Sequence, residues 1–193
     1  HFFYTPSKKG LGESIWSRLN TIISNFEITP KETIIDWVEE YCQLNTYEIS
    51  IPGLRDHTLA PKGKTGLIVN IFFEYDLMKK VQEAGWYEKF KLEVENSMLE
   101  TLSKSIYPNI KDKILFRFSF TPISISNRVG SSEGAITGWT FENPVPVVQN
   151  ILKISKSVKN PIPNVLQAGQ WVYSPSGIPI AILTGLAAAK KLM

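Results

Sequence analysis

Apolar residues recur along the chain with two different periods, and the changes of period outline its elements. Ile34, Ile35, Val38 and Cys42 follow at helical spacing behind Thr29-Pro30 and Glu32, which have the form of an N-cap, a first-turn proline and an N3 acid. That pattern predicts a helix from Lys31 to Gln43. Tyr47, Ile49 and Ile51 then alternate with Glu48 and Ser50, giving a half-buried strand that ends at Pro52-Gly53. Beyond the turn-rich stretch Arg55 to Lys64, the segment Gly66 to Tyr75 holds Leu67, Ile68, Val69, Ile71, Phe72 and Phe73. A short, nearly continuous apolar run rich in β-formers predicts a central strand. Phe90, Val94, Met98, Leu102 and Ile106 recur every fourth residue, so Trp86 to Ile106 predicts one long amphipathic helix stopped by Pro108. Ile114 to Phe120 alternates around Arg117 and Ser119 and predicts a third strand. No crossover helix separates Ile51 from Gly66, so the natural solution is α+β, an antiparallel β-sheet covered by helices on one face.

Past Phe120 the pattern loosens. Thr121 to Glu142 carries Asn127, Gly130, Ser131, Ser132, Gly134 and Gly138 and predicts a long loop of the kind that tends to be functional. Pro161-Ile162-Pro163 then stiffens the chain before a short strand at Asn164 to Ala168, a loop at Gly169 to Gly177 and a terminal helix at Ile178 to Met193. That helix presents Ile180, Ile182, Leu183, Leu186, Ala187 and Ala188, and is expected to be mostly buried. Its apolar run stops at Lys190-Lys191, short of the roughly 18 residues a transmembrane helix needs.

Composition narrows the class further. With 193 residues, 43% hydrophobic and 20% charged, the chain is long enough for a real core, which excludes a disordered tract or a disulfide miniprotein. Its net charge of +3 comes without a clustered basic stripe, so no nucleic-acid partner is expected. A single cysteine, Cys42, excludes an internal disulfide and any multi-cysteine metal site, and suits a cytoplasmic protein. The opening His1-Phe2-Phe3-Tyr4-Thr5-Pro6 reads as the middle or end of a strand, with no initiator Met or signal layout, so the chain is expected to be a piece of something longer.

The sharpest candidate for chemistry is the strand, loop and helix from Val165 to Ala181. Gly177 permits a close backbone approach, Pro179 belongs in a first helical turn, and the free amides there carry the positive end of the helix dipole. A phosphate, a carboxylate or a reduced flavin would be stabilised at such a place. The same residues also suit a core helix with a well-formed start and no ligand, and spacing alone leaves both open. Other candidates are weaker. His57 is a lone imidazole in a turn, Cys42 a small apolar group on a helical face, and Glu39-Glu40 a solvated face. Arg128 and Glu133 flank the glycine-serine loop as surface charges or as an active-site wall. Phe72, Phe73, Trp86, Phe116, Phe118 and Phe120 are assigned mostly to the core, with an apolar substrate tunnel as the alternative.

Leu166-Gln167-Ala168-Gly169-Gln170 followed by Ser176-Gly177-Ile178-Pro179-Ile180-Ala181-Ile182-Leu183-Thr184-Gly185-Leu186-Ala187-Ala188 resembles the C-terminal flavin-binding stretch of FAD-dependent oxidoreductases of the phytoene desaturase type. Two upstream stretches fall in the same order: Leu59-Ala60-Pro61-Lys62-Gly63-Lys64, and Thr121-Pro122 with Gly134-Ala135-Ile136-Thr137-Gly138-Trp139. The resemblance runs from Tyr47 to the end of the chain. It implies that Gly169 and Gln170 approach the ribityl and phosphate region of FAD, while Gly177, Ile178 and Pro179 open the helix that points at the flavin pyrimidine. The family usually has an acid where Gln170 stands and often Gly where Ile180 stands.

No G-x-G-x-x-G occurs in the chain, so the resemblance implies a C-terminal portion lacking the N-terminal FAD-binding half of the same polypeptide. On that basis residues 1–142 form part of a substrate-binding sheet domain and residues 143–193 the last segment of the FAD domain. The implied activity is hydride transfer between FAD and an apolar, polyprenoid-like substrate, with no acid, base or nucleophile required of these residues. Alone, the chain is expected to be inactive and to bind FAD poorly or not at all; a homodimer or domain swap would cover its exposed seam, and a peripheral membrane contact would serve to load lipid substrates. The competing expectation is a free-standing, non-catalytic α+β module that binds an apolar ligand or a protein partner.

Overall fold

The structure is a computed structural model that describes residues 1–136 and 147–193, in two compact units, residues 1–128 and 129–193. The expected domain boundary at 142/143 falls outside the described residues, as do Thr137, Gly138 and Trp139.

The first unit is α+β, as the alternating periods predict. It begins with β1 (Phe2–Tyr4), α1 (Glu13–Ser24), α2 (Lys31–Leu44) and β2 (Tyr47–Ser50). After two short 3₁₀ turns come β3 (Ile68–Asn70), α3 (Tyr75–Glu83), α4 (Tyr87–Ser103) and α5 (Pro122–Val129), which carries the chain into the second unit. The sheet has the order β1-β2-β3 and is antiparallel throughout, with Ile49 opposite both Phe2 and Val69. Tyr47 and Ile49 are fully buried on one face, where Leu102 of α4 meets them, while Glu48 and Ser50 point the other way. The period-2 pattern of β2 therefore reports its environment directly.

The core lies among the helices. Ile15 and Leu19 of α1, Ile34, Trp37, Val38 and Tyr41 of α2, Leu77 and Val81 of α3, and Phe90 and Val94 of α4 form one buried cluster. On α2 the polar ends of the buried aromatics are placed: the Trp37 Nε1–H donates to the Ile15 carbonyl at 3.0 Å, and the Tyr41 hydroxyl to the Phe72 carbonyl at 2.7 Å. Tyr47 donates to the Cys42 carbonyl at 2.8 Å. Rings of Trp37 and Tyr41 stack with centroids 4.8 Å apart, and Phe73 meets Trp37, Tyr41 and Phe90 edge-on.

Several expectations give way. The run Gly66 to Tyr75 is not a central strand: β3 is three residues long and lies at the sheet edge, and β2 is central. Beyond Asn70 the chain leaves the sheet to deliver Phe73 into the helical core, which turns Phe72 outward to 77% exposure. Among the described residues Ile114 to Phe120 joins no sheet. Arg117 pairs with Glu95 of α4 at 3.0 Å and reaches Asn96 at 2.6 Å, and the Ser119 hydroxyl donates to Glu95 at 2.5 Å. Those contacts turn the polar side of the segment inward and leave Phe116, Phe118 and Phe120 exposed, so the core assignment fails for these three and for Phe72. It holds for Trp86, and Phe73 packs against the core half-buried. Alternation predicts two faces, and the carboxylate on α4 chooses which one is inside. The stretch after Thr121, expected as loop, opens with α5, where the Tyr87 hydroxyl hydrogen-bonds Thr121 Oγ1 at 2.6 Å.

The second unit carries α6 (Ile154–Ser157), which packs against α7 (Ile178–Leu192). The short strand expected at Asn164 to Ala168 is reduced to one antiparallel bridge, Lys159 to Leu166, and a second, parallel bridge joins Val148 to Tyr173. Val158, Val172, Tyr173 and Thr184 are buried. Most of α7 is not: Ile178, Ile182, Leu183, Leu186 and Leu192 are exposed, against the expectation of a buried helix. An apolar composition shows what a helix can bury, but residues 129–193 supply too little surface to cover this one.

Candidate functional site

The residues singled out by the sequence, Gly169, Gln170, Gly177, Ile178 and Pro179, sit on the loop and helix start of the second unit. Gly177 is the N-cap of α7, with φ of +137° and ψ of 174°, a backbone state closed to side chains with a Cβ. Its carbonyl accepts the first helical hydrogen bond, from the Ala181 amide at 2.9 Å, and Pro179 occupies the first turn, where its missing N–H costs nothing. No side chain caps this end by hydrogen bonding, and Ile178 is 78% exposed. The start of α7 is thus an open, uncapped amide terminus flanked by apolar surface.

Gly169 is placed differently. It too has positive φ, +110°, and its amide donates to Thr184 Oγ1 at 3.0 Å. Thr184, fully buried, in turn donates to the Ile180 carbonyl at 2.9 Å. One hydroxyl in the second turn of α7 therefore fixes the loop to the helix and uses the Gly169 N–H internally. Sequence reasoning passed over Thr184; the available signal was a lone hydroxyl within the apolar run Ile180 to Ala189. Gln167 ties the other end of the loop, its amide donating to the Val158 carbonyl and its side chain to the Ser157 carbonyl, both at 2.9 Å. The Tyr173 hydroxyl donates to the Gln149 carbonyl at 3.0 Å. Between these ties Gln170 is half-buried.

The remaining candidates assemble no chemistry. His57 is exposed in a 3₁₀ turn, and Arg128 and Glu133 are exposed. Glu39 is exposed, and Glu40 makes a surface pair with Arg18 at 2.6 Å. Cys42 is fully buried, and burial pushes its thiol up to about 12, which makes it unreactive at neutral pH. Among the described residues no cluster of three or more His, Cys, Asp and Glu groups is arranged to hold a metal ion.

At the α7 start the amides are uncapped, and an added Cβ at Gly177 would meet only Pro179 Cδ, at 3.9 Å. For the pyrophosphate of FAD the chain has no glycine-rich turn.

Comparison with known proteins bears on this geometry. The chain is 27% identical over 163 residues to all-trans-retinol 13,14-reductase of Danio rerio. It resembles part of a retinoid reductase. The match takes in 76% of this chain and 26% of that protein, so the chain spans about a quarter of the length of the curated relative it matches. No family profile matches the chain, and no solved structure does.

Proposed function

We propose that these residues belong to an FAD-dependent oxidoreductase acting on an apolar, retinoid- or polyprenoid-like substrate. The observation that carries this reading is the similarity to a retinol reductase over 76% of the chain. Bound FAD would supply the hydride chemistry, which is why no side chain here is assigned as acid, base or nucleophile. This chain's part is positional. Gly177, Ile178 and Pro179 present the helix amides, whose dipole favours electron density at that point. Thr184 holds the loop of Gly169 and Gln170 against α7. The glycine-rich pyrophosphate turn comes from other polypeptide.

The test uses the complete reading frame that contains these residues. The purified protein is expected to carry FAD, seen as its visible absorbance, and to reduce or oxidise a retinoid with matching change in that absorbance. Gly177→Val should lower flavin occupancy, because valine cannot adopt the Gly177 backbone state. A complete protein that binds no flavin and leaves retinoids unchanged would refute the proposal. The 193-residue chain alone is expected to retain little FAD; stoichiometric flavin on it would contradict the division of labour between this chain and the polypeptide that carries the pyrophosphate turn.

A further inference from the structure

The segment Ile114 to Phe120 is held from one side only. The Arg117 guanidinium pairs with Glu95 at 3.0 Å and donates to Asn96 at 2.6 Å, and the Ser119 hydroxyl donates to Glu95 at 2.5 Å. These contacts fix alternate residues of the segment against α4. The residues between and beside them, Phe116, Phe118 and Phe120, face outward at 79%, 72% and 59% exposure. Their rings form a continuous row: Phe116 and Phe118 lie parallel with centroids 6.4 Å apart, and Phe120 meets Phe118 edge-on at 5.9 Å.

The main chain is as open as the rings. Among the described residues no backbone N–H or C=O from Ile114 to Phe120 has a hydrogen-bond partner. An apolar row on alternate residues, beside a main chain whose donors and acceptors are free, is what an added β-strand covers. The ladder takes the amides and carbonyls, and alternate side chains take the rings. A helix laid over the phenylalanines would cover the rings and leave the amides without a ladder.

Two observations bear on the occupant. The sheet of this unit has strands of three, four and three residues, fewer and shorter than the roughly five to six strands of about five to six residues usual in globular domains. The chain also spans about a quarter of the length of the relative it matches. We propose that Ile114 to Phe120 is a preformed strand that pairs with an extended segment of the same polypeptide lying outside residues 1–193. That segment carries apolar residues at alternate positions and no charge facing the three rings. The pairing requires that these residues belong to a longer protein, as proposed above, and is independent of flavin or retinoid chemistry.

Hydrogen exchange at single-amide resolution is measured on the complete reading frame and on the 193-residue chain. In the complete protein every second amide from Leu115 to Phe120 should exchange at least about tenfold more slowly than in the chain alone, since one neighbouring strand takes the N–H groups of alternate residues. F116S/F118S should remove most of that slowing while α2 exchanges as before. Both positions are solvated in the chain alone, where circular dichroism should show the variant fully folded. Equal, fast exchange in both proteins would overturn the proposal, as would slowing that F116S/F118S leaves intact. Concentration-dependent slowing in the 193-residue chain, with a dimer in sedimentation, would assign the segment to a second copy and overturn it too. FAD content is read on the same samples. A complete protein without flavin that still protects these amides refutes the function proposed above and supports the strand pairing, and a flavin-loaded protein with fast amides does the reverse.

Discussion

The two units of this chain spend their hydrophobic residues in opposite ways. In residues 1–128 the apolar side chains of α1 to α4 close on one another, and Trp37, Tyr41, Tyr47 and Phe90 are buried to the last few per cent. In residues 129–193 a helix richer in apolar residues than any of those, α7, keeps Ile178, Ile182, Leu183 and Leu186 exposed. The first unit has α1 to α4, with Ile123 of α5, to cover one another's stripes; among the described residues of the second, the short helix α6 is set against α7. Hydrophobicity is a demand for a partner, and only the first unit contains enough partners to satisfy it. The second unit substitutes specific polar ties, of which Thr184 to Gly169 is the most enclosed.

The largest effect should come from the first unit's core. Phe90→Ala removes a ring that Phe73 and Trp86 both contact, and is expected to cost about 3–5 kcal/mol of stability. Urea unfolding followed by tryptophan fluorescence measures it; a loss below about 1 kcal/mol would mean that the core collapses to fill the gap.

Alkaline pH should weaken the same unit. Burial pushes both the Cys42 thiol, ordinarily at 9.0, and the Tyr41 hydroxyl, ordinarily at 10.0, up to about 12. Their neutral forms are thus favoured in the folded state. The stability this contributes is complete below the unfolded values and is lost as pH rises from 9.0 through about 12, because the unfolded chain releases these protons first. The slope should approach about 1.4 kcal/mol per pH unit for each group. Cys42→Ala should delay the onset of that decline from pH 9.0 to 10.0. A urea midpoint independent of pH over this range would contradict the burial of both groups.

The smallest effect tests the second unit. Thr184→Val keeps shape but removes the acceptor for the Gly169 amide, and should cost about 1–2 kcal/mol locally. Hydrogen exchange at Gly169 should accelerate while that of α2 stays unchanged. Unaltered exchange at Gly169 would show that another group protects that amide.

Much of the first unit was legible because its periods are long and regular. Helix α4 repeats its apolar residues every four positions over seventeen residues, and β2 alternates through Tyr47 and Ile49. Helices α1 and α3 were passed over, although Ile15, Leu19 and Ile22 show the same spacing in shorter compass. At the candidate site the two glycines and the first-turn proline could be read directly, since positive φ and a missing N–H leave few alternatives. The use of Thr184 could not, because a threonine fits a helix surface as readily as an internal tie.

By itself the amino-acid sequence determined α2, β2 and α4, the α+β class and the glycine-proline start of the last helix, all of which follow from local sterics and periodicity. Tertiary structure alone decided which face of each pattern turns inward. Ile114 to Phe120 has the alternation of a strand, yet Glu95 on α4 binds Arg117 and Ser119 and so turns three phenylalanines to the outside. Helix α7 has the composition of a core element and lies exposed for want of covering elements. Periodicity is a property of neighbouring residues, whereas inside and outside depend on groups far away along the chain.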